Sequence, residues 1–187
     1  MRLDHVIYGT SDLDAASERM RALGLEVRPG GVHEGQGTHN RIVPLGETYL
    51  ELMAIGDRDE AAAHPFGSRV LARIEAGDGL IGWAVRVESV EAVAERLGTR
   101  VSTIRRAGLE GKLTGVEEAL DEPTLPFFIQ GTSRPGEGGA PELTFIEVAG
   151  DADRLGRWLD GADLGVRVVD GAPAVRAIGL GEQTFRP

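Results

Sequence analysis

Apolar and polar positions along the chain repeat one arrangement three times: a short apolar strand, a capping residue, an amphipathic helix, a glycine and another strand. The first copy runs Leu3-Asp4-His5-Val6-Ile7-Tyr8, then Ser11-Asp12, a helix from Leu13 to Leu23, Gly24, and a strand at Leu25-Glu26-Val27. Leu13, Ala16, Met20 and Leu23 recur at helical spacing and share one stripe. Ser11 or Asp12 offers an oxygen to the unpaired N–H groups of the first turn, and Gly24 suits the left-handed residue that closes the last. The second copy is Leu80 to Val87, Ser89 as cap, a helix from Val90 to Leu97, and Gly98. The third is Leu143 to Val148, Asp151 as cap, a helix from Leu155 to Leu159, Gly161, and a strand from Val166 to Val169. Unequal spacing and intervening hairpins exclude a solenoid.

Further strands complete each unit. Asn40 to Leu45 and Thr48 to Ala54 flank a tight turn at Gly46-Glu47. Val101 to Arg105, Leu113 to Ala119 and Leu125 to Gln130 follow the second helix, and Ala174 to Leu180 and Gln183 to Phe185 follow the third. The pattern predicts an α+β fold, a single domain over residues 1–187. It consists of paired βαβββ modules at about 1–56 and about 79–132. A partial βαββ unit at about 141–187 is expected on their edge.

Composition narrows the class. Hydrophobic residues are 41% and charged residues 27% of 187, which is ordinary for a water-exposed globular chain. A net charge of −10 repels phosphate backbones and argues against nucleic acid as a partner. The chain has no cysteine, so disulfides and thiolate metal sites are ruled out. Met1-Arg2-Leu3-Asp4-His5 lacks the apolar run of a signal peptide, and no stretch reaches the ~20 apolar residues of a membrane span. A cytoplasmic protein with no membrane partner is the expectation. There is no Walker loop, no Gly-x-Gly-x-x-Gly after a strand and no Gly-x-Ser-x-Gly elbow.

Two consecutive βαβββ units, the opening Arg2-Leu3-Asp4-His5-Val6-Ile7 with Asp12-Leu13 and Leu23-Gly24-Leu25, and the strand Thr48-Tyr49-Leu50-Glu51-Leu52 resemble the vicinal-oxygen-chelate superfamily. The runs Gly30 to Asn40 and Leu125 to Gln130 resemble its glyoxalase-like subgroup, and the resemblance spans nearly the whole chain. It implies that the modules form a curved mixed sheet, with two metal positions per module on its concave side, one on the first strand and one on the last. A divalent ion there, Zn, Ni, Mn or Fe, polarises neighbouring oxygens of a small-molecule substrate. The superfamily spans isomerases, epimerases, dioxygenases, thiol transferases and antibiotic-binding proteins, and its paired modules often assemble as homodimers through their sheets.

Carried over residue by residue, His5 matches the first position and Glu51 the second. Glu51 sits in an apolar run, where a carboxylate is costly without a cation or hydrogen bonds, and it is also the candidate general base. The second module departs from the pattern. Gly82 stands as far ahead of Ser89 as His5 does ahead of Asp12, and it has no side chain to ligate. On the last strand only Gln130 carries a ligand oxygen. The metal set is then His5, Glu51 and Gln130, or it draws on His33 or His39 of the glycine-rich run, or metal binding is lost. Tyr49, Trp83, Phe128, Asn40 and His39 are the expected pocket residues. His33 is expected in solvent within a loop, His64 at the surface, and Arg105-Arg106 on a solvated face. The two functional expectations are a metal-dependent lyase, isomerase or dioxygenase, and a metal-free binder of apolar or drug-like molecules.

Overall fold

A computed structural model describes residues 1–106 and 109–187; of the pair Arg105-Arg106, the side chain of Arg106 lies outside what is described. The first module is β1 (Arg2–Gly9), α1 (Leu13–Ala22), β2 (Arg28–His33), β3 (Thr38–Leu45) and β4 (Thr48–Ile55). Two helices, α2 (Arg58–Ala63) and α3 (Pro65–Glu75), lead to the second module. That module is β5 (Gly79–Arg86), α4 (Val90–Leu97), β6 (Val101–Arg106), β7 (Leu109–Thr114), α5 (Val116–Asp121) and β8 (Phe127–Gln130). The remainder is β9 (Leu143–Ala149), α6 (Ala152–Trp158), β10 (Val166–Val169), β11 (Ala174–Leu180) and β12 (Gln183–Phe185).

The helices start where the sequence places their caps. Asp12 accepts from the N–H groups of Asp14 and Ala15, Ser89 from Ala92, and Asp151 from Arg154. Gly24 takes a φ of +79°, the left-handed conformation expected after α1. Leu23, expected on the apolar stripe, is instead the exposed C-cap of α1.

Eight strands close in the order β1-β4-β3-β2-β6-β7-β8-β5. Read outward from the β1–β5 junction, that order is the same on both sides, so a local two-fold axis relates the modules. It crosses the sheet where His5 pairs with Ala84. The opposite seam, β2 with β6, is joined by the pair His33 and Arg106.

The expected strand Leu113 to Ala119 is corrected. β7 ends at Thr114, and Val116 to Asp121 is helix α5. Helices α2 and α3 are additional to the expected elements, and Phe66, Val70 and Ile74 show the i, i+4, i+8 spacing of a buried helix face after Pro65. α3 and α5 lay Phe66, Val70, Ile74, Val116 and Leu120 against the inward side chains Ile7, Met53, Ile81 and Ala84. Arg69 ties the two helices together through both carboxylate oxygens of Asp121, at 2.9 and 3.1 Å. These helices fill part of the barrel and leave a cavity in the rest.

The last strands form a separate sheet, β10-β9-β11-β12. It does not extend the barrel edge. Ile146, Val148, Val175, Ile178 and Phe185 pack with Val6, Tyr8, Trp83 and Val85, the outward faces of β1 and β5. Among the described residues no helix is long and apolar enough to cross a membrane.

Candidate functional site

A strand shows alternate side chains to alternate faces, so Asp4 and His5 should point apart. A β-bulge changes that. Leu3 pairs with Val85 and His5 with Ala84, so Asp4 is an extra residue on β1. Its carboxylate oxygen Oδ1 lies 2.7 Å from Nδ1 of His5, and both residues are buried. A carboxylate only accepts, so Nδ1 donates to Asp4 and Nε2 is the ring nitrogen turned toward Glu51. The other Asp4 oxygen accepts from Nε of Arg86 at 2.5 Å. Arg86 also donates to the carbonyls of Gly131 and, at 2.9 Å, Ser133. Burial pushes the Asp4 carboxyl up, but the hydrogen bonds from His5 and Arg86 and the Arg86 charge outweigh it and hold the group below its ordinary 3.8.

Glu51, on β4, faces this imidazole. Its Oε2 lies 3.5 Å from Nε2 of His5, and its Oε1 lies 3.6 Å from Nε2 of His33. The Asn40 side-chain amide donates to the same Oε1. Which way that amide points is settled by Gly31, whose N–H donates to Asn40 Oδ1 at 2.9 Å and so turns the NH2 group toward Glu51. Gly30 makes this approach feasible, since a Cβ there would collide with Asn40. Nδ1 of His33 is in turn held by the Thr38 hydroxyl at 2.8 Å. A continuous buried polar track therefore runs from Arg86 through Asp4, His5 and Glu51 to His33 and Thr38.

The cavity around this track encloses about 90 Å³. Tyr49 stacks on His5 with ring centres 4.7 Å apart, and Phe127 meets it edge-on at 5.5 Å. Ile7, Met53, Phe66, Leu113 and Ile129 supply hydrocarbon wall, and Arg86, Ser133 and Pro135 also line it.

The expected residues divide. His5, Glu51, Tyr49 and Asn40 come together. Trp83 and Phe128 do not: both face outward and are fully buried in the core between the barrel and the outer sheet. Phe127, one residue earlier than Phe128, takes the cavity-facing position. Gln130 also faces away, and its Oε1 accepts from the Val90 N–H at the start of α4 at 3.1 Å. His39 lies between two inward residues and lines an outer cleft with Asp12, Val32 and Arg41. His33 is not in solvent. It belongs to strand β2, is 2% exposed, and faces the cavity. The hairpin register His33–Thr38 held that information, because Thr38, Asn40 and Ile42 share the inward face of β3. His64 is half-buried and caps α3 by accepting from Phe66. Arg105 is exposed and pairs with Glu110 at 3.0 Å.

The local two-fold makes the comparison between modules exact in register. β1 and β4 run parallel with His5 opposite Tyr49 and Ile7 opposite Glu51. β5 and β8 run parallel with Ala84 opposite Phe127 and Arg86 opposite Ile129. The counterparts of His5 and Glu51 are therefore Ala84 and Ile129, not Gly82 and Gln130. β3 sets Ile42 against Glu51 and β7 sets Leu113 against Ile129, so the counterpart of Asn40 is Gly111. Two of the four ligand positions that the resemblance implies thus carry hydrocarbon. Among the described residues no group of three or more His, Cys, Asp or Glu is placed to hold a metal ion. The donor set does not fit a four-position metal centre.

A family model described as a glyoxalase-like domain matches residues 3–162. Among curated proteins none matches the sequence. A hypothetical protein from Staphylococcus aureus is similar in structure, with a TM-score of 0.75 at 17% identity over 95% of this chain and 89% of that one. A methylmalonyl-CoA epimerase from Streptomyces coelicolor gives a TM-score of 0.53 at 22% identity over 72% of this chain and 97% of that one. Likeness at these identities concerns the fold. The family match, extending over both modules and α6, shows that the chain belongs to the glyoxalase-like domain family, of the vicinal-oxygen-chelate fold.

Proposed function

We propose that the chain is an enzyme of the lyase or isomerase type, which binds one small molecule in the barrel and moves a proton on it with His5 and Glu51. The observation that carries this reading is the pair itself: an imidazole and a carboxylate, 3% and 5% exposed, side by side in a cavity with largely hydrocarbon walls. Asp4 orients His5 so that its free nitrogen can take a proton, the arrangement that makes an imidazole an effective general base. Glu51 stands close enough that a ligand atom reaching one group is within reach of both. A substrate with neighbouring oxygens would place its acidic C–H or O–H beside the pair, within reach of either group.

The size of the cavity restricts the substrate. About 90 Å³ is well under the roughly 300–1,000 Å³ of a drug-sized pocket, so a few heavy atoms fill it. A longer molecule would insert only its reacting end. The Streptomyces coelicolor epimerase, solved with 2-nitronate-propionyl-CoA, gives an example of the fold engaging an acyl-CoA-type ligand. It lends support to proton transfer beside a carbonyl.

A second reading, binding without turnover, is favoured by Ala84, Gly111, Phe127 and Ile129, which make the second module an apolar wall. Proton exchange separates the two. Short ketones, aldehydes, 2-hydroxy acids and acyl thioesters are incubated with the protein in D2O, and loss of C–H signal is followed by NMR. Enzyme-dependent exchange with at least one compound, lost in Glu51→Gln, supports the enzyme. Binding of these compounds with no exchange above buffer turns the assignment to the binding module.

A further inference from the structure

We propose that this site handles its ligand without a divalent metal, the ligand lying across the local two-fold with its polar group on the first module and its hydrocarbon on the second. The inference rests on the preceding reading only in taking this cavity as the ligand site. Three observations carry it, and none is the absence of an ion.

The first is register. A metal held across two modules needs donors from both, and the two-fold sets Ala84 opposite His5 and Ile129 in the place of Glu51. A methyl group and a sec-butyl group offer no lone pair. The second is the occupation of Glu51. Its Oε1 accepts the Asn40 N–H, and Asn40 cannot turn its oxygen inward, because that oxygen is engaged by the Gly31 N–H at 2.9 Å. A donor hydrogen thus points at the carboxylate where a cation would otherwise sit. The third is the segregation of the walls. At the positions the two-fold relates, His5, Tyr49, Glu51 and Asn40 of β1–β4 stand against Ala84, Phe127, Ile129 and Gly111 of β5–β8, although Ile7 and Met53 add hydrocarbon to the first half and Arg86 and Glu110 add charge to the second.

A symmetric metal centre would hold two oxygens of a compact chelating ligand between equivalent halves. This asymmetric cavity suits a small molecule with a polar end and a hydrocarbon end. Its polar end meets Nε2 of His5 and the Glu51 carboxylate directly, in low-dielectric surroundings where such contacts are strong. Arg86 and Glu110 are the charged lining residues described on the second module; Arg86 is held by Asp4 and the carbonyls of Gly131 and Ser133, and Glu110 by Arg105 at 3.0 Å, rather than left to a ligand group.

The test uses the full chain, purified without a histidine tag, stripped with chelator, and dialysed separately against Zn2+, Mn2+, Ni2+ and Co2+ with no organic ligand present. Elemental analysis is expected to give under ~0.1 equivalents of each ion per chain at the site, with no shift in melting temperature. Uptake of about one equivalent that disappears in both His5→Ala and Glu51→Ala overturns the proposal. Uptake that survives both variants lies elsewhere on the surface and supports it. On an Asn40→Ala background, which removes the donor hydrogen from Glu51, the double variant Ala84→His with Ile129→Glu restores the two missing donors and is expected to gain about one equivalent of Zn2+ or Ni2+. A folded double variant that gains none overturns the assignment of these two positions. Should it fail to fold, the wild-type measurement decides alone. Metal uptake is read without substrate, so a negative proton-exchange screen leaves this result standing.

Discussion

The two modules share one backbone plan and differ in what they show the cavity. Across the β1–β5 junction His5 faces Ala84; Tyr49 has Phe127 as counterpart, Glu51 has Ile129, and Asn40 has Gly111. The outward faces differ far less. Val6, Tyr8, Leu50 and Leu52 on one side and Trp83, Val85 and Phe128 on the other are all core. The outward positions must bury apolar area against helices and the outer sheet, so packing dictates their chemistry. The inward positions are free of that demand around the cavity, and there the four related pairs have separated into polar groups on one module and apolar ones on the other.

The largest expected effect comes from cutting the polar half at its base. Asp4→Ala leaves Arg86 and His5 without their shared partner, and breaking such a buried pair costs about 3–5 kcal/mol, read as a lower midpoint in urea. The same residue sets an acid limit. Its folded pKa lies below its ordinary 3.8, so its stabilisation is complete above that value and is lost as pH falls through the folded one. Wild-type and Asp4→Ala stabilities should converge in that range, and a gap that stays constant down to strong acid contradicts the role given to Asp4.

Next is Glu51→Gln, which preserves shape but removes the base. Activity should fall at least ~100-fold with folding intact by circular dichroism. The mirror change, Ile129→Ala on the apolar half, should alter ligand affinity and leave any proton-transfer step far less affected. Gly30→Ala follows. Its Cβ would collide with Asn40, for an expected cost of about 1–3 kcal/mol, whereas Gly111→Ala has neighbours no closer than 3.5 Å and should cost less. Equal costs at the two positions would show that the Asn40 lock is not what makes Gly30 necessary. The smallest effect belongs to Gln130→Ala, which removes one partner from the α4 N-terminus, about 1 kcal/mol, and leaves ligand binding unchanged.

Much of this architecture was legible in the sequence. Helical spacing, Asp12, Ser89 and Asp151 as caps, and glycines after the helices marked three repeated units, because each cue reports a local energetic demand. His5 and Glu51 stood out because polar groups in apolar strands need a reason. What escaped depended on register. A β-bulge at Asp4 turns it to the same side as His5, and no periodicity shows a bulge. Counting back from Ser89 pointed to Gly82, while pairing makes Ala84 the counterpart. A shift of one residue exchanged Phe128 for Phe127, and it took Gln130 out of the site and brought Ile129 in. His33 was lost because the glycines around it read as a loop, although they allow the close hairpin that carries it inward.

The four histidines of the chain provide the most direct test. His5 and His33 lie in the cavity, His39 in the outer cleft and His64 at the start of α3. Ring C–H resonances, assigned by single substitutions, can be followed by NMR while a compound identified in the exchange screen is titrated in. The account predicts that the His5 and His33 signals shift together with saturation and that those of His39 and His64 stay in place. Movement of His39 with His5 and His33 unperturbed would contradict it and place ligand binding outside the barrel.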